Sequence, residues 1–282
     1  MRVEFTKYQG LGNDFILIDN RDQDQPCLTP EQAVQMCDRN FGIGGDGVIF
    51  VLPATGETDY TMRIYNSDGS EPEMCGNGIR CLARFLAKLE GQPAQKAITY
   101  RIHTLAGPIT PSLQPDGLVQ VDMGPPYLVP KDIPTTLGQG TDPVINQPLE
   151  VGGQTWSVTC VSMGNPHCIT FVEDLETIDF QQLGPQFEHH PAFPQRINTE
   201  FIQVIRPDYL KMLVWERGAG PTLACGTGAC AVLVAGVLTG KSQSQATIEL
   251  PGGPLRIRWE GEQEPVYMTG PAEQVFSGVL DL

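Results

Sequence analysis

Basic residues and long apolar runs are what this 282-residue sequence has least of. No apolar stretch approaches the roughly 18 residues that a membrane-spanning helix requires. Lys and Arg number 18 against 33 Asp and Glu, which gives a formal net charge of −15. A field of that sign repels phosphate backbones, and no cluster of five or more basic residues offsets it locally. We therefore expect neither a membrane nor a nucleic acid among the partners.

Metal-binding and disulfide patterns are also missing. The sequence contains no Cys-x-x-Cys pair and no His-Glu-x-x-His segment, so a structural zinc site is not expected. Residues 1–10 enter a strand-like pattern at once and carry no apolar signal-peptide stretch, which predicts a cytoplasmic protein. The cytosol keeps thiols reduced, so we expect free cysteines at all eight positions: Cys27, Cys37, Cys75, Cys81, Cys160, Cys168, Cys225 and Cys230.

Short β-branched and aromatic runs dominate the chain and predict two series of strands. Ala97–Leu105 is one predicted strand of the first series. Between the series lies the proline-rich segment Gly124–Gly153, which predicts an extended linker. Three helices are predicted, beginning near Thr29, Gly78 and Gly228. The last, Gly228–Leu238, is apolar nearly all round, so we expect it to be buried inside a curved sheet or barrel.

The sequence repeats itself at long range. A Cys-Gly-x-Gly turn followed by an apolar helix occurs at Cys75 and again at Cys225, 150 positions later. Gly12-Asn13 and Gly164-Asn165 are separated by 152 positions, and each pair precedes a strand. We expect an α/β (α+β type) fold of two pseudo-symmetric domains, each a curved, mostly antiparallel sheet around a central helix. The predicted domains are 1–123, completed by a strand at 271–282, and 124–270.

Cys75 and Cys225 share one predicted setting, a glycine-rich turn at a helix N-terminus. Free amides and the helix dipole there favour anions, and we expect them to lower the pKa of both thiols toward neutrality. Two such thiols suit inversion at a carbon next to a carboxylate, because a single side chain can hardly reach both faces of that carbon. One thiolate would remove the proton and the other thiol would return one, while backbone amides stabilise the carboxylate.

Seven motifs in chain order resemble the diaminopimelate epimerase family: Gly10–Phe15, Asn66–Gly69, Cys75–Cys81, Gly164–His167, Asn198–Glu200, Glu216–Gly220 and Ala224–Ala229. The resemblance implies a cofactor-independent isomerase that interconverts LL- and meso-2,6-diaminopimelate in lysine and peptidoglycan precursor biosynthesis. It also implies two similar α/β domains and a homodimer.

The resemblance further implies roles for individual residues. Cys75 and Cys225 would be the acid/base pair, and His167 and Glu216 would tune the pKa values of the two sulfurs. Glu216 would also hold the reacting ammonium. The substrate would be bound by Asn13, Asn66, Gly76, Asn77, Asn165, Asn198, Glu216, Arg217, Gly226 and Thr227. One departure is Gly47, where some family members have Gln, so one polar contact to substrate would be missing or replaced.

Other functions fit the sequence less well. Gly42, Gly44 and Gly47 match a dinucleotide fingerprint by letter, but they follow a predicted helix and precede a strand, the reverse of the required order. A proline-racemase-like enzyme would also use two thiols, but its ligand has a single carboxylate, so Arg217 and the asparagines would have no distal group to bind. A phenazine-pathway isomerase of similar fold lacks the paired thiols. A redox sensor that joins Cys75 to Cys225 remains the alternative from another functional class.

Overall fold

The computed structural model describes residues 2–93, 96–138, 140–261 and 263–281. The chain divides into two compact units, Met1–Asp122 with Thr269–Leu282 (unit 1) and Met123–Met268 (unit 2). Position 282, the end of the predicted strand at 271–282, lies outside the described residues, as does position 139 of the predicted linker. No helix among the described residues is long and apolar enough to cross a membrane.

The described residues form four α-helices and nineteen strands. The helices are α1 (Pro30–Cys37), α2 (Gly76–Leu89), α3 (Phe180–Glu188) and α4 (Gly226–Leu238). Strands β1 to β9 are Arg2–Gly10, Asn13–Asp19, Gly47–Leu52, Tyr60–Asn66, Ile98–Thr99, Ile102–Thr104, Gly107–Ile109, Pro111–Leu113 and Val119–Asp122. Strands β10 to β19 are Gln147–Val151, Gln154–Ser162, Pro166–Val172, Asn198–Arg206, Tyr209–Glu216, Gly220–Pro221, Gln245–Leu250, Gly253–Arg258, Tyr267–Gly270 and Glu273–Asp281.

Seven strands of unit 1 form a sheet in the order β19-β1-β2-β3-β4-β6-β7. The pairs β2/β3 and β4/β6 are parallel, and the other described registers in this sheet are antiparallel. Strand β8 pairs antiparallel with β5 on one edge and with β9 on the other. Helix α2 contacts β1, β2, β3, β8 and β9, so it is the central helix of the unit.

Unit 2 repeats this topology with the strand order β10-β11-β12-β13-β14-β16-β17-β18. The parallel pairs are now β12/β13 and β14/β16, each at the same place in the order. Helix α4 contacts β11, β12, β13, β16 and β17. Its residues from Ala229 to Ala235 are almost completely buried, as an apolar helix surrounded by strands requires. The predicted α/β fold class is confirmed.

Alternation along the strands separates the two faces of each sheet. In β3, Val48 and Phe50 belong to the apolar core around α1. Ile49 points to the opposite face, where its Cδ1 lies 2.9 Å from the position that a Cβ on Gly78 of α2 would take. In unit 2, Phe201 of β13 packs into the core that contains Phe187 of α3. The face that carries Glu200 therefore meets α4.

Helix α3 was not among the three predicted helices. Its sequence contains Gly184 and Pro185, two residues that usually interrupt helices. Gly184 is required by packing, because a Cβ there would lie 2.3 Å from the ring of Trp215. Asp179 caps the helix by accepting a hydrogen bond from the backbone N–H of Gln182 at 3.3 Å.

Two further predictions are wrong. The expected strand Ala97–Leu105 is two short strands, β5 and β6, which pair with different neighbours, β8 and β4. The segment Gly124–Gly153 is not an extended linker. It contains a 3₁₀ turn at Pro130–Asp132 and strand β10, and Ile133 and Val144 are fully buried in the core of unit 2. The prolines shape the turns of a segment whose apolar side chains are needed in that core.

Candidate active site

Cys75 is the N-cap residue of α2, so the helix begins immediately after it. Its Sγ accepts a hydrogen bond from the backbone N–H of Gly78 at 3.3 Å. The side chain is half-buried. Gly76 and Asn77 form the first helical turn, where N–H groups have no acceptor within the helix. A thiol and an anion-binding turn are therefore adjacent in unit 1.

Cys225 occupies the same position before α4, but its surroundings differ. It is 4% exposed, and its Sγ lies 3.6 Å from Oγ1 of Thr227. Burial raises the pKa of the Cys225 thiol well above its usual value, and the negative charges of Glu216 and Glu200 raise it further. The expectation that the helix N-terminus lowers this pKa is thus wrong for Cys225, because loss of water outweighs the helix amides.

Asn13 and Asn77, both predicted to bind substrate, contact each other in unit 1. The Asn77 Nδ2 donates to Oδ1 of Asn13 at 3.1 Å. The Nδ2 of Asn13 donates in turn to Oδ2 of Asp46 at 2.6 Å, and the backbone N–H of Asp14 donates to the same oxygen. Asp46 also pairs with Arg39. Asn13 is held from both ends of its amide.

Asn66 and Gly47 lie opposite each other on β4 and β3. The Nδ2 of Asn66 donates to Oγ of Ser70 at 2.9 Å and contacts none of the other predicted site residues among the described hydrogen bonds. A Cβ on Gly47 would lie 2.8 Å from the backbone oxygen of Tyr65. The glycine is therefore required by close backbone packing in this chain.

In unit 2, His167 connects two other polar side chains, Glu200 and Asn165. The Nδ1 of His167 lies 2.6 Å from Oε1 of Glu200, and its Nε2 lies 3.0 Å from Oδ1 of Asn165. His167 and Glu200 are both completely buried, whereas Asn165 is half-buried. Burial raises the pKa of Glu200, and the interaction with His167 offsets this only in part.

The segment that follows β14 is held by two buried side chains. Oδ1 of Asn198 accepts from the backbone N–H of Arg217 at 2.9 Å, while its Nδ2 donates to the backbone oxygen of Pro166. Glu188 accepts from Trp215 Nε1 at 2.7 Å and from the N–H of Gly218 at 2.9 Å. Burial disfavours ionisation of Glu188, but these hydrogen bonds outweigh it and lower its pKa.

Glu216 and Arg217 themselves differ in exposure. The carboxylate of Glu216 is half-buried and accepts a short hydrogen bond from Oγ1 of Thr222. Arg217 is exposed, and its guanidinium donates to the backbone oxygen of Gln195 at 3.2 Å. It forms no salt bridge within the described part of the chain, so its charge is available to an anion.

Sequence reasoning missed three carboxylates that organise these groups: Asp46, Glu188 and Glu200. Glu200 was quoted only as part of a motif, and its place beside His167 depends on the register of β12 and β13. All eight cysteines are free. The described residues contain no group of three or more His, Cys, Asp or Glu side chains that could hold a metal ion.

Comparison with known proteins identifies the family. The diaminopimelate epimerase family model matches residues 5–129 and 159–275. A diaminopimelate epimerase of Acaryochloris marina is 86% identical over 281 residues, which cover 100% of this chain and 99% of the relative. The chain belongs to the diaminopimelate epimerase family. Another diaminopimelate epimerase, from Cyanothece sp. PCC 7425, is 72% identical and covers 99% of this chain and 100% of the relative.

Solved structures of other enzymes share the fold at low sequence identity. A hydroxyproline epimerase from Agrobacterium vitis has a TM-score of 0.70 at 13% identity, with 99% of this chain and 91% of that chain covered. A phenazine biosynthesis protein from Bacillus anthracis has a TM-score of 0.69 at 16% identity, with both chains fully covered. The two-domain fold of this diaminopimelate epimerase family member is therefore shared with these more distant proteins.

Proposed function

We propose that this chain interconverts LL- and meso-2,6-diaminopimelate, with Cys75 and Cys225 as the two acid/base groups. The observation that carries the proposal is the position of each thiol. Each is the N-cap of the central helix of its unit, in a chain that is 86% identical to a diaminopimelate epimerase over its full length. The reaction is a proton removal and a proton return at one α-carbon.

The two thiols divide this reaction. One sulfur, as thiolate, removes the α-proton, and the other, as thiol, delivers a proton to the opposite face of the same carbon. The raised pKa of Cys225 means that its resting form is the protonated thiol. In the free enzyme Cys225 is thus ready to act as the acid, and substrate binding has to change its surroundings before it acts as the base.

Backbone amides stabilise the charge that develops when the proton leaves. We assign this role to the first turns of α2 and α4, through Gly76, Asn77, Gly226 and Thr227, because a helix N-terminus favours a carboxylate. The exposed guanidinium of Arg217 suits the distal carboxylate. Asn13, Asn66, Asn165 and Asn198 would fix the distal end, and Glu216 would hold the reacting ammonium.

The charges around Cys225 support the predicted roles of Glu216 and His167 in setting the pKa of its sulfur. Glu216 raises the pKa of Cys225 directly, so an ammonium that pairs with Glu216 would remove part of that effect. His167 acts through Glu200, whose negative charge also raises this pKa. By sharing a proton with Glu200, His167 limits the charge that Cys225 experiences. This assignment retains the predicted tuning roles of His167 and Glu216.

We also propose that the enzyme works without a cofactor, in the cytoplasm, in lysine and peptidoglycan precursor biosynthesis. It would do so as a homodimer. The support is β19, which ends the sheet of unit 1 and exposes three large apolar side chains, Val275, Phe276 and Val279, by 53%, 44% and 47%. Sedimentation velocity should show a dimer that Val275→Asp with Val279→Asp dissociates. A wild-type monomer at micromolar concentration would count against it.

The decisive experiment follows the α-proton of LL-diaminopimelate by proton NMR in D₂O with reduced enzyme. We expect this signal to disappear as the meso isomer forms, without added pyridoxal phosphate or metal. The Cys75→Ala variant should lose turnover by at least about 100-fold, because it lacks one of the two acid/base groups. If wild-type enzyme that is folded, with both thiols free, exchanges no α-proton, the proposal is wrong. If Cys75→Ala loses only an oxidation response, the redox-sensor alternative is correct.

A further inference from the structure

We propose that Glu200 is a positioning residue that acts through His167 to fix the side-chain amide of Asn165. In this arrangement Asn165 presents its NH₂ group, and not its carbonyl, to a carboxylate of the substrate. The identity of that substrate rests on the proposed function. The orientation of the amide rests on the hydrogen bonds alone.

The orientation follows from counting donors along the chain of contacts. Oδ1 of Asn165 can only accept, so Nε2 of His167, 3.0 Å away, must carry a hydrogen. On the other side of the ring, one hydrogen lies between Nδ1 and Oε1 of Glu200 at 2.6 Å. Whether that hydrogen resides on the ring or on the carboxyl group, the His167–Glu200 pair is neutral overall. The Nδ2 hydrogens of Asn165 then remain available to a ligand.

Burial makes this arrangement the favoured one. Both members of the pair are completely buried, so an unpaired ring nitrogen would cost about 1–3 kcal/mol. Glu200 is confined further by α4. A Cβ on Gly228 would lie only 2.7 Å from Oε1 of Glu200, so the glycine provides the room that the carboxyl group occupies. Each group is therefore held by the next: α4 confines Glu200, Glu200 contacts His167, and His167 contacts Asn165.

Unit 1 shows that the fold does not need this pair. In the parallel register of β2 and β3, Leu17 lies opposite Ile49, as Ile169 lies opposite Glu200 in β12 and β13. Two residues earlier, Phe15 and His167 correspond in the same way. Gly78 confirms the match, because a Cβ there would meet Ile49 and Met62, where Gly228 meets Glu200 and Met212. Phe15 and Ile49 in unit 1 therefore occupy the positions that His167 and Glu200 occupy in unit 2.

Removal of the carboxyl group should free the amide from its single orientation. Without Glu200, Nδ1 of His167 has lost its partner, so the imidazole is no longer held in the Nε2–H form and also populates the Nδ1–H form. In that form Nε2 accepts a hydrogen bond, and the NH₂ group of Asn165 turns inward to donate it. The carbonyl of Asn165 would face the substrate carboxylate and repel it.

Kinetics of three variants test this prediction. Glu200→Leu should raise the KM for diaminopimelate about 10–100-fold, the effect of losing a hydrogen bond to a charged group. Because Glu200 also acts on the pKa of Cys225, kcat is expected to change in every Glu200 variant, and the variants are therefore compared by KM. Glu200→Gln should keep the KM within about threefold of the wild-type value, because its amide can donate to Nδ1. In an Asn165→Ala background, Glu200→Leu should add less than about twofold. Equal damage from Glu200→Gln and Glu200→Leu, or independent effects in the double variant, would overturn the proposal.

A spectroscopic measurement tests the orientation without activity. Long-range ¹H–¹⁵N NMR of ¹⁵N-histidine-labelled enzyme should show Nε2 of His167 protonated, with the signal assigned by its absence in His167→Phe. Glu200→Leu should shift the population toward Nδ1–H, and a wild-type ring lacking a hydrogen on Nε2 would overturn the proposal. If Glu200→Leu does not fold, the double variant His167→Phe/Glu200→Ile replaces it in the kinetic test. Phe15 and Ile49 already pack at the corresponding positions of unit 1. If wild type shows the Nε2–H form but no epimerisation, only the proposed function has failed.

Discussion

The two thiol sites share one backbone frame and differ in chemistry. Each cysteine is the N-cap of a central helix. Cys75 is half-buried and accepts a hydrogen bond from Gly78, whereas Cys225 is buried and has two carboxylates acting on it. The duplicated topology therefore provides two equivalent positions for a sulfur, and the side chains beneath each helix decide how readily that sulfur ionises.

The difference continues into the strands. Where unit 1 has Phe15 and Ile49 beneath its helix, unit 2 has His167 and Glu200. The proposed reaction uses one thiolate and one thiol at the same moment, so it needs two groups in different protonation states. A repeated fold with unlike buried side chains is a direct way to obtain them, because burial and nearby charge can outweigh the effect of a helix turn on a thiol's pKa, as they do at Cys225.

Thiol alkylation should separate the two sites most clearly. At neutral pH, iodoacetamide should label Cys75 at least about tenfold faster than Cys225, because Cys225 is buried and its pKa is raised. A raised pKa leaves the thiol protonated at neutral pH, so labelling of Cys225 should increase about tenfold per pH unit as the pH rises from 7 to 9. Peptide mass spectrometry measures both rates in one sample.

Buried Cys230, in the same helix, serves as the internal control for unfolding, since it should remain unlabelled throughout. The Cys225→Ala variant confirms the assignment of the slow peptide. Equal labelling of Cys75 and Cys225 at neutral pH would show that the two environments do not differ in the way the structure indicates.

Matched glycine substitutions should show a smaller difference. Gly228→Ala places a Cβ 2.7 Å from Oε1 of Glu200, a group held by His167, and should destabilise the protein by about 1–3 kcal/mol. Gly78→Ala meets Cδ1 of Ile49 at 2.9 Å, the end of a flexible side chain that can turn aside. Its cost should be smaller by about 1 kcal/mol or more.

Urea unfolding of the two variants and of wild type measures this difference. Because both glycines occupy the same place in the first turn of a helix, the gain in helix propensity from alanine cancels in the comparison. A greater loss of stability in Gly78→Ala would mean that the Glu200 side chain adjusts more easily than Ile49.

Periodicity and composition were enough to predict some elements. The central helix of unit 2 is apolar on every side, so it has to be buried, and its neighbours in sequence are strands, which indicates a surrounding sheet. The Cys-Gly-x-Gly pattern before α2 and again before α4 was enough to place both thiols at helix N-termini. By contrast, α3 was missed because Gly184 and Pro185 argue against a helix locally, and only contact with Trp215 explains the glycine. The proline-rich segment after unit 1 was misjudged for a similar reason, since its burial depends on partners far away in sequence.

The amino-acid sequence by itself determined the duplication, the two thiols, their place at helix N-termini and the family, because these depend on residue type and short-range spacing. Only the tertiary structure decided which groups surround each sulfur. Glu200 lies 25 residues before Cys225, and His167 meets it only because β12 and β13 run parallel in one register. A pKa depends on burial and on charges within a few ångströms, and those distances exist only once the strands have packed.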